Sequence, residues 1–245
     1  VAVAGPLLPA VRTAADLATA AGACATYAVT AQSAPATAAN IAGGTGPNVW
    51  IPDSSAWVAD LTAKVPNAVT AGQSVALSPL VVAIPKALAT SVTSAPTWAQ
   101  LVAFTLPVQF ADPAASASSR LALRSAYAAL GTSSEARIAL GAAMIRLSRT
   151  KVASEDVLYA QATAGATPAS AFPAEEAAVA AYNAANAGTR LVAAIPAGGT
   201  SAFDHPFVTV GAPSASVKAG ADALLAALQS PAGKAAVAAA GFRSG

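Results

Sequence analysis

The side chains that could do chemistry gather in four hydroxyl-bearing turns: Ser54-Ser55, Ser78, Ser116 with Ser118-Ser119, and Gly198-Gly199-Thr200-Ser201. Each follows or adjoins a stretch that reads as a β-strand. Turns of small residues expose backbone N–H groups and hydroxyls, which suit an oxyanion, a carboxylate or a sugar. Taken singly, each has an ordinary explanation as a helix cap. Their repetition at strand ends makes Ser54, Ser55, Ser78, Ser116, Ser118, Ser119 and Thr200 candidate ligand-binding residues. Of the basic side chains only Arg120 adjoins these turns, so the ligand would be held by neutral donors.

Catalytic and metal chemistry is poorly supplied. The one histidine, His205, excludes a His-based metal cluster, and no Asp/Glu cluster has metal spacing. His205 stands before Pro206 and reads as a local hydrogen-bonding residue of a turn. Gly43-Gly44-Thr45-Gly46 lacks dinucleotide spacing, and Gly72-Gln73-Ser74-Val75-Ala76 lacks the last glycine of a nucleophile elbow. Glu175 and Glu176 are adjacent, so on a helix they point about 100° apart. No enzyme, no metal and no cofactor is expected.

The elements that must position the turns alternate. Residues 48–61 are the clearest unit: Val49-Trp50-Ile51 reads as a buried strand, Pro52-Asp53 ends it, and Ser54 or Ser55 caps a helix carrying Trp57, Val58 and Leu61 inward. Strands are expected at 1–4, 25–30, 74–77, 80–84, 108–111, 191–195 and 207–210. Helices are expected at 9–21, 35–42, 134–147, 154–164, 175–186, 216–229 and 231–240, with a short one capped by Thr97 and another starting between Ala115 and Ser119. In the helix 134–147, Ile138, Ala142 and Ile145 share a stripe. Residues 165–174 read as a loop with a short strand at 171–172. Such alternation predicts an α/β fold with mostly parallel sheets and helices on both faces. Strands 80–84 and 191–195 enclose a helix-rich block, which predicts two lobes, 1–84 plus 191–245 and 85–190, joined by two crossovers.

The 245 residues carry a net charge of +2 with no basic run, so no nucleic-acid partner is implied. Residues 17–52 are uncharged, yet Gly, Pro, Gln and Asn interrupt them and no run of about 20 apolar residues survives. A soluble chain is expected, with membrane association only through segments outside it. The first residues read as a strand without a charged n-region or cleavage site, so a mature or trimmed segment is expected. Cys24 is single and its flanks predict a buried thiol.

Several stretches together resemble the bacterial extracellular solute-binding proteins. They are 49–57 (Val-Trp-Ile-Pro-Asp-Ser-Ser-Ala-Trp), 78–86, 97–101, Ala111-Asp112-Pro113 with its serine-rich helix start, Ala202 to Phe207, and Ser230-Pro231-Ala232-Gly233-Lys234 with Gly241-Phe242-Arg243. The branch is similar to molybdate- and sulfate-type binding proteins, and within it to envelope proteins that also carry a von Willebrand factor A domain. The resemblance implies a two-lobed type II periplasmic-binding-protein fold with two crossover strands and a ligand cleft. Asn48 stands where relatives often carry Asp, and His205-Pro206-Phe207 replaces a more usual Tyr-Pro-Tyr. Two functions follow. One is an extracytoplasmic receptor closing two lobes over a small polar or anionic ligand, with a transporter permease as partner. The other is a cell-envelope interaction module with a weak or vestigial cleft and an envelope protein as partner.

Overall fold

The computed structural model describes residues 1–92, 94–165 and 168–245, so residues 166 and 167 of the expected 165–174 loop lie outside the described residues. The chain divides into two compact units, Val1–Ser78 with Phe203–Gly245, and Pro79–Ala202. One boundary falls inside a single long strand and the other inside a two-residue strand.

In the first unit, β1 (Ala2–Val3) leads through a 3-10 turn (Gly5–Leu7) into α1 (Leu8–Ala20), with Pro6 and Pro9 at the two helix starts where a missing N–H costs nothing. Next come β2 (Thr30–Ala31), α2 (Ala34–Ala42), β3 (Val49–Ile51), α3 (Ser55–Lys64) and β4 (Val69–Ser74). After the second unit the chain returns as β9 (Pro206–Val210), α10 (Ala215–Gln229), α11 (Pro231–Ala239) and β10 (Arg243–Ser244). The sheet order is β2-β1-β3-β9-β4. Trp50 and Ile51, both at most 1% exposed, lie on its central strand with buried Val3 and Val208 on the strands to either side. Burial of each large side chain contributes about 1.5–3 kcal/mol. Helix α1 packs against α10 and α11. Gly233 lets α11 follow α10 tightly, since a Cβ there would stand 2.0 Å from the Ala227 carbonyl oxygen.

The second unit is built on β5 (Ala76–Pro85), whose residues from Leu80 on are almost entirely buried. Its elements in order are α4 (Lys86–Ala89), α5 (Trp98–Val102), α6 (Ala117–Leu130), α7 (Ser134–Thr150), α8 (Glu155–Ala164), β6 (Phe172–Glu175), α9 (Glu176–Ala185), β7 (Leu191–Ala194) and β8 (Ala202–Phe203). β5 pairs antiparallel with β6 (Leu80↔Glu175) and β7 (Val82↔Ala194). Val81, Ala83, Leu158, Phe172, Val179 and Leu191 make the core.

Parallel pairing is scarcer than the alternation leads one to expect. It joins β1 to β2 and β3, and recurs in the single bridges Thr97↔Ala197, Val108↔Ala171 and Ala111↔Val152. The other registered pairs are antiparallel, because β9 returns between β3 and β4 and β5 meets returning strands on both sides. Three other expectations change. The strand at 25–30 shrinks to Thr30–Ala31, 108–111 forms bridges only, and 74–77 divides between β4 and β5. Cys24 is exposed, because the chain around it forms bends outside the sheet. Among the described residues, no helix is long and apolar enough to cross a membrane.

Candidate functional site

At the start of α3, three fully buried apolar residues end at Pro52, and Ser54 turns the chain with an extended backbone (φ −150°, ψ 140°). Ser54 Oγ accepts the Ala56 N–H at 3.2 Å, and the Ser54 carbonyl accepts that of Trp57 at 3.2 Å. The remaining first-turn donor, the Ser55 N–H, reaches the Asp204 carboxylate at 2.7 Å. The antiparallel register Trp50↔Val208 makes this meeting possible by placing the residues before β9 beside the end of β3. Asp53 accepts the Trp57 indole N–H at 2.8 Å, orienting that ring. All three first-turn N–H groups are therefore engaged within the chain, while Ser55 itself stays exposed.

The start of α6 repeats this arrangement. The Ala111↔Val152 bridge, flanked by Asp112 N–H to Val152 carbonyl at 2.8 Å, sends residues 112–116 and 152–155 off side by side. Ser116 caps α6, accepting the Ser119 N–H at 3.0 Å, and its own hydroxyl donates to Glu155 Oε1 at 2.6 Å. The Ser118 N–H approaches the same oxygen at 3.4 Å. Burial raises the pKa of the Glu155 carboxyl above the ordinary glutamate value, with the charge of Glu175 adding to it. The Ser116 and Ser118 groups pull the other way without overcoming the burial.

Three hydroxyls of this unit, Ser118 Oγ, Ser119 Oγ and Tyr159 Oη, are buried without a hydrogen-bond partner among the described residues. Ser118 and Ser119 are each 1% exposed. The Ser118 hydroxyl lies beside the Glu155 carboxyl without closing a bond to it. Tyr159 stands one turn along α8, edge-on to Phe172 at 5.2 Å between ring centres. Its phenol pKa is pushed well up by burial and by the charges of Glu155 and Glu175.

Of the residues singled out from the sequence, Ser116, Ser118 and Ser119 come together around Glu155, and Ser54 and Ser55 share the α3 start with Asp204. Ser78 is fully buried within β5 and engaged there. Thr200 donates to the Leu80 carbonyl at 2.6 Å, while the Ser201 carbonyl accepts the Leu80 N–H at 2.9 Å and Gly199 accepts the Trp98 indole N–H at 3.0 Å. Thr200 thus fastens a glycine turn to β5, where Gly198 and Gly199 both adopt positive φ. Sequence reasoning missed Glu155, Tyr159 and Asp204 as companions of the serines. Asp204 falls inside the 202–207 stretch and Glu155 inside the expected helix 154–164, and neither stands out by its type or spacing. Among the described residues, no group of three or more His, Cys, Asp or Glu side chains is placed to hold a metal ion.

Two α/β units linked through β5 and β8, with hydroxyl-bearing helix starts at strand ends, define a type II periplasmic-binding-protein-like fold. Solved structures of that fold superpose on nearly the whole chain. The sulfate-binding protein SubI from Mycobacterium tuberculosis H37Rv matches with a TM-score of 0.67 and 17% identity, covering 99% of this chain and 85% of that one. The periplasmic molybdate-binding protein of Azotobacter vinelandii matches at 0.63 and 16%, covering 98% and 96%. A periplasmic thiamin binding protein matches at 0.69 and 13%, covering 99% and 81%. A search of the curated proteins finds no significant sequence match. Residues 1–243 match the model of the bacterial extracellular solute-binding protein family, and the chain belongs to that family.

Proposed function

We propose that this chain is an extracytoplasmic solute-binding domain that closes two lobes over a small polar ligand and presents it to a transporter permease or a sensor. The observation that carries this reading is the pair of neighbouring, partnerless hydroxyls of Ser118 and Ser119 at a helix start. A buried polar atom without a partner costs about 1–3 kcal/mol, so two on adjacent residues suit a position that a ligand completes. Ser54, Ser116 and Thr200 hold the turns, Ser78 lies within β5, and the exposed Ser55 hydroxyl is open to a ligand. The solved relatives named for sulfate, molybdate and thiamin support a small solute without selecting one. The chain's own location follows the family description and is part of this proposal.

A thermal-shift screen of oxyanions, organic cations, sugars and amino acids tests the reading. A ligand at 100 times its dissociation constant adds about 2.7 kcal/mol to stability. Ser118→Ala and Ser55→Ala should each weaken binding, by about tenfold where the hydroxyl makes one bond, and ligand should contract the molecule in small-angle scattering. A screen without any shift would sink the proposal.

One observation favours a second reading, an envelope interaction module with a vestigial ligand site. The starts of α3 and α6 hold the chain's own carboxylates, from Asp204 and Glu155, where a ligand anion would sit. In that reading no small molecule shifts the melting temperature, so the same screen decides between the two.

A further inference from the structure

Helix α7 carries an apolar ridge that its own unit leaves uncovered. The helix packs on α5 and α6, with Ala136, Ala143 and Leu147 as its buried residues. At about 100° per residue, Leu147 lies about 180° around the helix from Ile138, and Ile145 lies within about 20° of Ile138. Ile138 and Ile145 are the most exposed large apolar side chains among the described residues, and Ala142 between them is exposed too. A single exposed apolar side chain is ordinary. Two isoleucines on the outermost line of one helix, with a small residue between, form a continuous ridge.

The ridge is bordered by cations. Arg137 and Arg146 stand about 100° and about 80° to either side of Ile138, and Arg149 lies about 20° from it near the helix end. All three are exposed, and among the described residues no carboxylate pairs with them. Arg146 rests over the Phe104 ring at 4.0 Å, which fixes its place on the flank. Glu135 is the one acid of the helix, and it accepts the Ser134 hydroxyl at 3.1 Å in the first turn. The outer face is thus apolar along its crest and positive along its borders. An anionic bilayer surface complements both features: aliphatic side chains enter the acyl boundary while arginines stay with the headgroup phosphates. A second copy fits worse, because two such faces would oppose three arginines to three, with one glutamate on each. An acidic protein would need a groove to receive the ridge, whereas lipid accommodates a convex helix.

We propose that α7 is a lipid contact, lying in the headgroup region of an anionic membrane with Ile138 and Ile145 inserted and Arg137, Arg146 and Arg149 on phosphates. The helix lies on the bilayer without crossing it, since no described helix is long and apolar enough to span one. This goes beyond solute binding, and it departs from the expectation that only segments outside the chain reach a membrane. A solute-binding domain held in this way stays beside the barrier that its solute must pass.

The experiment is cosedimentation of the full chain with vesicles of phosphatidylglycerol and, separately, of phosphatidylcholine. Partitioning onto phosphatidylglycerol should be about tenfold stronger or more, and should fall away in about 1 M salt, where the Debye length is about 3 Å. The double variant Ile138→Ser with Ile145→Ser should lower it about tenfold, and Arg137→Gln with Arg149→Gln about fivefold with a weaker salt dependence. Val192→Ser removes an exposed apolar side chain of β7 in the same unit and should leave partitioning unchanged. These side chains are all exposed, so the variants should keep the wild-type circular dichroism and melting temperature. If the isoleucine pair does lower the melting temperature, the arginine pair and the salt series decide. No binding to phosphatidylglycerol, equal binding to both lipids, or binding that neither pair weakens overturns the proposal. Isoleucine-dependent self-association without vesicle binding also overturns it, in favour of a second copy. A protein that ignores vesicles but responds in the solute screen loses the lipid contact and keeps the solute-binding reading.

Discussion

Asp204 and Ser55 lie 149 residues apart in sequence, yet the Asp204 carboxylate accepts the Ser55 N–H at 2.7 Å and closes the first turn of α3. This charged contact replaces what a ligand anion would do at a helix start, and it ties the β8–β9 connection to the end of β3. Asp204→Ala should free that donor and restore an open anion position. The expected loss is about 0.5–1 kcal/mol, a figure set by exposure at the helix end. The variant's melting temperature should also rise with added sulfate where wild type's does not. Equal sulfate responses in the two proteins would show that Asp204 does not fill such a position.

Glu155 gives the pH dependence a definite sign. Its folded-state pKa is raised, chiefly by burial and then by Glu175, against the opposing pull of Ser116 and Ser118. The groups acting on this carboxyl are Ser116 and Ser118 from α6 and Glu175 from β6, and Tyr159 and Asp156 share its helix. A carboxyl that holds its proton more tightly when folded stabilises the protein at low pH. That contribution is lost as pH rises from the ordinary glutamate value to the raised one. Asp112, held below the usual range by the neighbouring Lys151 and the Ala114 N–H, pulls in the opposite direction. Comparing wild type with Glu155→Gln cancels such common terms. The variant should gain stability relative to wild type as pH climbs above about 4.5. A difference that stays flat between pH 4 and 8 would mean the carboxyl is not desolvated.

Much of the fold was readable because local signals agreed. Val49-Trp50-Ile51 before Pro52, Thr97 with Gln100 as a reciprocal cap, and Pro231 opening α11 all fold as their local chemistry dictates. The serines at 54 and 116 cap helices for the same reason. What escaped the sequence is held by distant partners. Ser116 meets Glu155 across 39 residues through a single-residue bridge at Val152, and a bridge of that size leaves no periodic trace. The acidic character of the helix starts was invisible for that reason, since serines alone suggest an anion.

Helix α7 shows a different limit. Ile138, Ala142 and Ile145 lie on one stripe, yet Ile138 is 73% and Ile145 60% exposed, while Ala136, Ala143 and Leu147 face inward. Alanines on several faces give the helix two candidate inner stripes, and the smaller one packs closer. Arg146, on the flank, lies over the Phe104 ring at 4.0 Å. Ile138→Ser and Ile145→Ser should therefore change stability by no more than about 0.5 kcal/mol. Leu147→Ala should cost about 2–5 kcal/mol in urea denaturation. A large loss from either isoleucine would mean its side chain is covered in solution.

The three serines of α6 should separate cleanly by role. Ser116 makes two bonds: it accepts the Ser119 N–H as the cap, and it donates to a desolvated carboxyl. Ser116→Ala therefore removes a cap, worth about 1 kcal/mol, and strips a donor from a buried acid, so about 1–3 kcal/mol of destabilisation is expected. Ser118 and Ser119 are just as buried, but their hydroxyls have no partner to lose. Removing an unsatisfied buried hydroxyl is neutral or stabilising. Ser118→Ala and Ser119→Ala should then match or exceed wild type by up to about 1 kcal/mol in the ligand-free protein, and lose that advantage when ligand is added. Denaturation with and without the best ligand of the screen measures both halves. If Ser118→Ala and Ser119→Ala are as damaging as Ser116→Ala without ligand, their hydroxyls are bonded in solution and serve the fold.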